Sequence, residues 1–178
     1  DSTTLNDFVT IKYDSTGTEK WVTHYNSPVN GNDRASDLKI DNSGNIYITG
    51  YSGTGNTHSD IVTIKYDANG TEKWLASYNS PGNLPDYSYA LGVDRIGNVY
   101  ITGYSYDPVP PSAKDYVTIK YSAEGVQQWI TSYNGTANSH DESMALAIDN
   151  SGNVYVTGYC TDLGAGMDYA TIKYEQIF

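Results

Sequence analysis

Apolar and polar positions alternate along this chain in two words that keep returning. The first is D-x-V-T-I-K-Y, with β-branched and aromatic residues on both faces. It appears as DFVTIKYDSTGTEKW over 7–21, DIVTIKYDANGTEKW over 60–74 and DYVTIKYSAEGVQQW over 115–129, and once more as DYATIKY over 168–174. The second word lies between these copies: DNSGNIYITGY over 41–51, DRIGNVYITGY over 94–104 and DNSGNVYVTGY over 149–159. Both words step by 53 and then 55 residues, as Asp7, Asp60 and Asp115 or Asp41, Asp94 and Asp149 show. A period near 50 residues signals a repeat architecture.

One repeat predicts four short strands. In the first full set these cover about 37–41, 46–51, 61–66 and 71–78. Ile46 and Ile48 point one way, and Tyr47, Thr49 and Tyr51 the other. The segments D-N-S-G-N and D-A-N-G are turns, where Asp accepts backbone N–H groups and Gly takes positive φ without steric cost. No window of eleven or more residues carries helical periodicity. With apolar residues on both strand faces, the small sheets are expected to pack on both sides. Strand direction alternates, so the one–two and three–four turns share one end of each sheet, and that end is nearly constant. The opposite end carries the two–three loops 52–59, 105–114 (with Pro108, Pro110 and Pro111) and 160–167, and the four–one loops 26–34, 79–87 and 134–142. Both sets read as variable in length and content. Loops on a rigid scaffold carry function, so a binding site is expected at that end.

The words D-x-x-G-N-[IV]-Y-[IV]-T-G-Y and D-x-V-T-I-K-Y resemble the bacterial SBBP β-propeller repeat over nearly the whole chain. That resemblance implies propeller blades, in a family of large secreted and surface proteins mostly without an assigned activity. A second word, Y-D-x-x-G-x-x-x-W at 13–21 and 66–74, is similar to the tryptophan-docking motif of quinoprotein propellers; the copy at 122–129 lacks the Asp. By that resemblance Trp21, Trp74 and Trp129 are wedges between blades. The expected fold is therefore all-β, one domain over 1–178 with three four-stranded antiparallel repeats (7–59, 60–114, 115–167) and a partial repeat over 168–178. That makes thirteen strands, three blades plus one strand. Propellers close with about four to eight blades, so three leave two unpaired edges. Either further blades of a longer chain or copies of this one are expected to cover them, and strand donation between subunits is physically open.

Composition narrows the partners. The net charge is -11 with only ten Lys and Arg and a pI near 4.4, which argues against nucleic acid and anionic membrane surfaces. No apolar run approaches the roughly 18 residues of a membrane span. The chain starts at Asp1 without Met or an apolar leader, which reads as a mature or excised chain. Tyr, Asn, Ser, Thr and Gly in abundance, with few charges, read as a secreted or cell-surface protein.

Candidate chemistry is thin. Asp7, Asp60, Asp115 and Asp168 open each third strand. They read as caps on backbone N–H groups or partners of Lys12, Lys65, Lys120 and Lys173, with a metal-lined carboxylate ring as the alternative. The Asp41 and Asp149 turns lack calcium-loop spacing. His24, His58 and His140 fall at unrelated repeat positions, without a zinc spacing. No catalytic residue, metal or cofactor is expected. Cys160 replaces the Ser of positions 52 and 105 and reads as an ordinary small residue, with a thiol open to intermolecular pairing as the alternative. Asn69 and Asn134 lie in N-x-T sequons but also suit turns. Tyr87, Tyr89, Tyr104 and Tyr106, with Trp129, are candidate glycan-binding residues, with packing at blade interfaces as the favoured reading. The leading functional expectation is a non-catalytic extracellular scaffold that makes protein contacts and self-assembles; the alternative is a glycan-binding adhesin, and an enzyme ranks last.

Overall fold

The structure is a computed structural model describing residues 5–53, 58–109, 113–164 and 166–176. It is all-β, with thirteen antiparallel strands among the described residues. The first sheet pairs β1 (Phe8–Tyr13) with β2 (Glu19–Tyr25). The second orders β3 (Asp33–Ile40), β4 (Ile46–Gly53), β5 (Ser59–Tyr66) and β6 (Glu72–Tyr78). The third orders β7 (Asp86–Val93), β8 (Val99–Tyr106), β9 (Lys114–Tyr121) and β10 (Gln127–Tyr133). The fourth holds β11 (Glu142–Ile148), β12 (Val154–Asp162) and β13 (Gly166–Tyr174). Each is a meander in chain order, the form of a propeller blade.

The strand total, the strand types and the four-strand set within 37–78 agree with the sequence expectation. A repeat counted from D-x-V-T-I-K-Y begins at strand three, so it straddles two sheets. The chain accordingly builds two complete blades, flanked by a strand three–four pair at one end and a strand one–two–three sheet at the other. Strand one also starts earlier than residue 37, at Asp33, and strand three starts at Ser59 inside the segment expected to be loop. The remainder of the 52–59 loop (54–57), Pro110 and Pro111, and residues 165, 177 and 178 lie outside the described residues.

The words persist for identifiable reasons. The glycine of T-G-Y sits where strands one and two come closest. A β-carbon on Gly50, Gly103 or Gly158 would overlap the carbonyl oxygen of Arg34, Tyr87 or Glu142. Strand one is bulged at the same place in every sheet, between Ala35/Asp37, Ser88/Ala90 and Ser143/Ala145; such bulges add twist. Sheets stack through both faces. β7 lies against β3 and β4, and β11 against β7 and β8. Ile46, Ile48, Val62, Ile64 and Tyr66 pack toward Phe8 of the first sheet. Tyr47 and Ile61, on the opposite face, join Val99, Ile101, Val117, Ile119 and Tyr121 of the third. Tyr100 and Tyr116 repeat that arrangement against Val154 and Val156 of the fourth. The β-branched runs are thus buried on both sides, which is why they show no polar face.

Candidate interaction sites

Each blade clasps the next through a tryptophan and a lysine that converge on one turn carbonyl. Trp21 Nε1 donates to Ala68 O at 3.2 Å and Lys12 Nζ to the same oxygen at 2.9 Å. One blade later, Trp74 Nε1 donates to Ala123 O at 3.0 Å and Lys65 Nζ at 3.1 Å. The indole lies flat against the turn glycine. A β-carbon on Gly70 would come within 2.9 Å of the Trp21 ring, and one on Gly125 within 2.7 Å of Trp74. The third member differs. Trp129 packs on Tyr100 and Tyr174, ring centroids 6.1 and 5.5 Å away, and Lys120 donates to the Gln176 side chain.

These lysines therefore do not pair with Asp7, Asp60, Asp115 or Asp168. That expectation is corrected, Lys173 pairing with Glu175 instead, and among the described residues a capping bond is seen at Asp168, which accepts from Tyr169 N. The Oδ1 atoms of Asp7, Asp60 and Asp115 are buried with no hydrogen-bond partner among the described residues. Burial raises the Asp60 carboxyl above its usual range. Burial, with Asp107 and Asp141 nearby, pushes Asp115 up to about 6. No group of three or more His, Cys, Asp or Glu among the described residues is placed to hold a metal ion.

The four–one loops are not variable. Asn26, Asn79 and Asn134 each donate Nδ2 to an asparagine four residues on, and those partners, Asn30, Asn83 and Asn138, take positive φ of 53°, 54° and 49°. Three residues further stands a buried aspartate. Asp33, Asp86 and Asp141 accept the backbone N–H of Ser27, Ser80 and Gly135 at 2.7, 2.7 and 2.6 Å. Asp33 Oδ1 also accepts from Ser52 Oγ, and Asp141 Oδ1 from Thr161 N. The spacing N-x-x-x-N-x-x-D was legible in the sequence at the common repeat interval. It was hidden because the residues between are dissimilar. The two–three segments 52–59, 105–114 and 160–167 differ in length from one repeat to the next, whereas the four–one loops do not.

At the constant end, the aspartate of D-x-x-G-N-x-Y organises its own word. Asp41 accepts from Ser43 N, from Asn45 N and Nδ2, and from the Tyr47 hydroxyl, all within 3.1 Å. Asp94 and Asp149 repeat the pattern with Tyr100 and Tyr155. Burial works against the Asp41 carboxylate, but these donors outweigh it and hold the carboxyl below its usual range. The Asn153 side chain, foremost among several donors, does the same for Asp149. The turns are hydrogen-bonded hairpins. Between successive turns lie clefts of about 370 and 450 Å³. Asp41, Lys65 and Ile96 line the first; Arg95, Lys120 and Asn150 line the second. Clefts are thus present at the end where the sequence reading placed no site.

Tyr87, Tyr89, Tyr104 and Tyr106 do come together. Tyr104 sits centrally, 5.2, 5.7 and 5.8 Å from Tyr87, Tyr89 and Tyr106 by ring centroid. It is buried, while the other three are half-buried. Lys114 Nζ lies 4.5 Å over the Tyr104 ring and pairs with Glu142 Oε1, and Tyr89 donates to Glu142 Oε2. Tyr51 of the preceding sheet meets Tyr87 edge-on at 4.7 Å. Cys160 is buried; burial, with Asp162 and Asp141 close by, pushes its thiol up. That disfavours both thiolate chemistry and intermolecular pairing. His24, His58 and His140 are not brought together; His140 Nδ1 accepts from Lys114 N. Asn69 and Asn134 are exposed and serve their turns.

Two comparisons bear on this geometry. Residues 128–161 match the family model of the SBBP beta-propeller repeat. The chain is also similar to an uncharacterized WD repeat-containing protein of Acanthamoeba polyphaga mimivirus, 29% identical over 125 residues, covering 56% of this chain and 8% of the relative. The chain thus spans a small fraction of the curated relative it matches. The meander sheets have the form of propeller blades, and within them the stretch 128–161 carries the likeness to the SBBP beta-propeller repeat.

Proposed function

We propose that this chain is a non-catalytic scaffold for protein contacts, working outside the cell or at its surface, and that its flanks are the contact surfaces through which copies join edge to edge into a ring or filament. One observation carries the reading. Val9, Ile11 and Tyr13 on β1 are 49%, 43% and 56% exposed, whereas their counterparts Val62, Ile64 and Tyr66 are 2%, 0% and 4% exposed beneath a preceding sheet. At the other flank, Tyr169 is 79% exposed where Ile61 and Tyr116 are fully covered. Apolar faces of this kind mark interaction sites, and faces that differ at the two flanks favour head-to-tail contact. The WD-repeat relative and the acidic, Tyr-rich composition support the class. Light scattering over a concentration series tests it. Mass should rise with concentration toward discrete multiples of the chain; a constant monomer mass removes self-assembly.

The half-buried rings of Tyr87, Tyr89 and Tyr106 beside Lys114 and Glu142 favour a second reading, a glycan-binding adhesin. A glycan-array signal that disappears in Tyr87→Ala and Tyr106→Ala would support it, and a blank array would remove it.

A further inference from the structure

Gly17 stands in the turn between β1 and β2 where Gly70 and Gly125 stand in later blades, with the same positive φ of 81° against 83° and 81°. Those two glycines each lie under a tryptophan; around Gly17 no described residue lies within 4 Å of a β-carbon position. At the far flank Trp129, the counterpart of Trp21 and Trp74, donates to no turn carbonyl among the described residues. One end of the stack presents an open tryptophan seat, and at the other Trp129 meets Tyr174 and no turn glycine among the described residues.

We infer that the β1–β2 hairpin of a second copy of this chain completes the fourth sheet by taking the place of β13. This rests on the self-association proposed above and specifies its register. β1 and β13 carry the same word, DFVTIKY and DYATIKY, so either satisfies the edge of β12. The native pairing of β12 with β13 sets Val156 opposite Ile172 and Thr157 opposite Thr171; the incoming strand sets them opposite Ile11 and Thr10. β13 is the weaker occupant. Ala170 stands where Val9, Val62 and Val117 stand in the other copies, and the outer face of β13 is exposed. In its place, the exposed Val9, Ile11 and Tyr13 cover Tyr100, Tyr116 and Trp129, as Val117, Ile119 and Tyr121 cover Tyr47, Ile61 and Trp74 in the complete junction. Trp129 then lies on Gly17 of the second copy, and its indole and Lys120 reach the Ser15 carbonyl, the position held by Ala68 and Ala123 in the other turns. Phe8 stays engaged with its own second sheet, so the hairpin joins without leaving its native neighbour. Each copy then contributes two whole blades and two half-blades, and two copies make a closed ring of six.

Gly17→Asn tests this in the full chain. Asparagine accepts positive φ here, as Asn30, Asn83 and Asn138 do, so the turn is kept while its side chain fills the seat. Gly164→Asn, also at positive φ with open space around it, controls for backbone strain. The dissociation constant of self-association should rise roughly tenfold or more in Gly17→Asn and stay unchanged in Gly164→Asn. In chain labelled with 5-fluorotryptophan, the Trp129 line, assigned through Trp129→Phe, should shift with concentration while those of Trp21 and Trp74 hold still. Self-association with an unmoved Trp129 line, or unaffected by Gly17→Asn, overturns the shared blade but leaves edge-to-edge assembly standing. A chain monomeric at every concentration overturns both.

Discussion

The Trp74 indole donates a 3.0 Å hydrogen bond to the Ala123 carbonyl of the neighbouring sheet, while its ring closes over Gly125. One side chain thus supplies both the polar and the apolar part of a blade junction. Trp74→Phe removes the donor and keeps most of the ring, so it should cost about 1 kcal/mol in urea unfolding. Trp74→Ala also loses the contacts with Tyr47 and Tyr121 and should cost roughly 3 kcal/mol. Equal losses in the two variants would mean that packing contributes little.

Asp94 gathers four donors from its own turn: Ile96 N, Asn98 N, Asn98 Nδ2 and the Tyr100 hydroxyl. Asp94→Ala leaves them without their acceptor and should destabilise the protein by about 1–3 kcal/mol in chemical denaturation. A loss under 0.5 kcal/mol would show that solvent replaces the carboxylate fully.

Asp115 lacks such donors: its Oδ1 is buried with no hydrogen-bond partner among the described residues. Burial, with Asp107 and Asp141 close by, puts its folded pKa near 6, above the ordinary carboxylate value. Between those two values the folded state holds a proton that the unfolded state has released, so this group's contribution to stability falls as pH rises from about 4 to 6. Asp115→Asn should therefore stabilise the protein at pH 7 by about 1 kcal/mol, allowing for solvent screening, with the gain gone by pH 4. Thermal unfolding at the two pH values checks it, and a gain equal at both would point to a cause other than charge.

Gly103 lies where a β-carbon would overlap the Tyr87 carbonyl oxygen across the β7–β8 pair. Gly103→Ala should separate those strands and cost more than about 4 kcal/mol, read as loss of the cooperative unfolding transition. Native-like stability in this variant would show that the strand pair shifts freely.

Cys160 is enclosed at the outer end of β12. It should react with a thiol reagent only when the protein is unfolded, and Cys160→Ser should change stability by less than about 1.5 kcal/mol, since Ser stands at the matching positions 52 and 105. Rapid labelling of the native chain would contradict the burial.

Where sequence reading succeeded and where it stopped has a physical basis. Ile46, Ile48, Val62 and Ile64 announce strands because both of their faces are covered, and covered faces tolerate little but β-branched residues. Asp41, Asn45 and Tyr47 repeat because they bond to one another across six residues. The role of Asp33, Asp86 and Asp141 was harder to see. Each is tied to a backbone N–H six residues earlier, and a backbone donor leaves no trace in the identity of Ser27, Ser80 or Gly135. Asp60 and Lys65 share a strand and carry opposite charge, which invited pairing. The lysine instead reaches a carbonyl in the adjoining sheet, and only the stacking of blades decides that. D-x-V-T-I-K-Y, the most conspicuous stretch of each unit, lies third in its sheet, as its place after D-x-x-G-N-x-Y implied.

The uniform eight-residue path from Asn26 to Asp33, from Asn79 to Asp86 and from Asn134 to Asp141 makes every blade-to-blade step geometrically interchangeable. Excising or duplicating one whole repeat, cut at matching positions of the words, rejoins a loop to a strand that already expects it. The polypeptide can therefore change its span in whole-blade increments without redesigning any junction, and its reach becomes a matter of how many units are strung together.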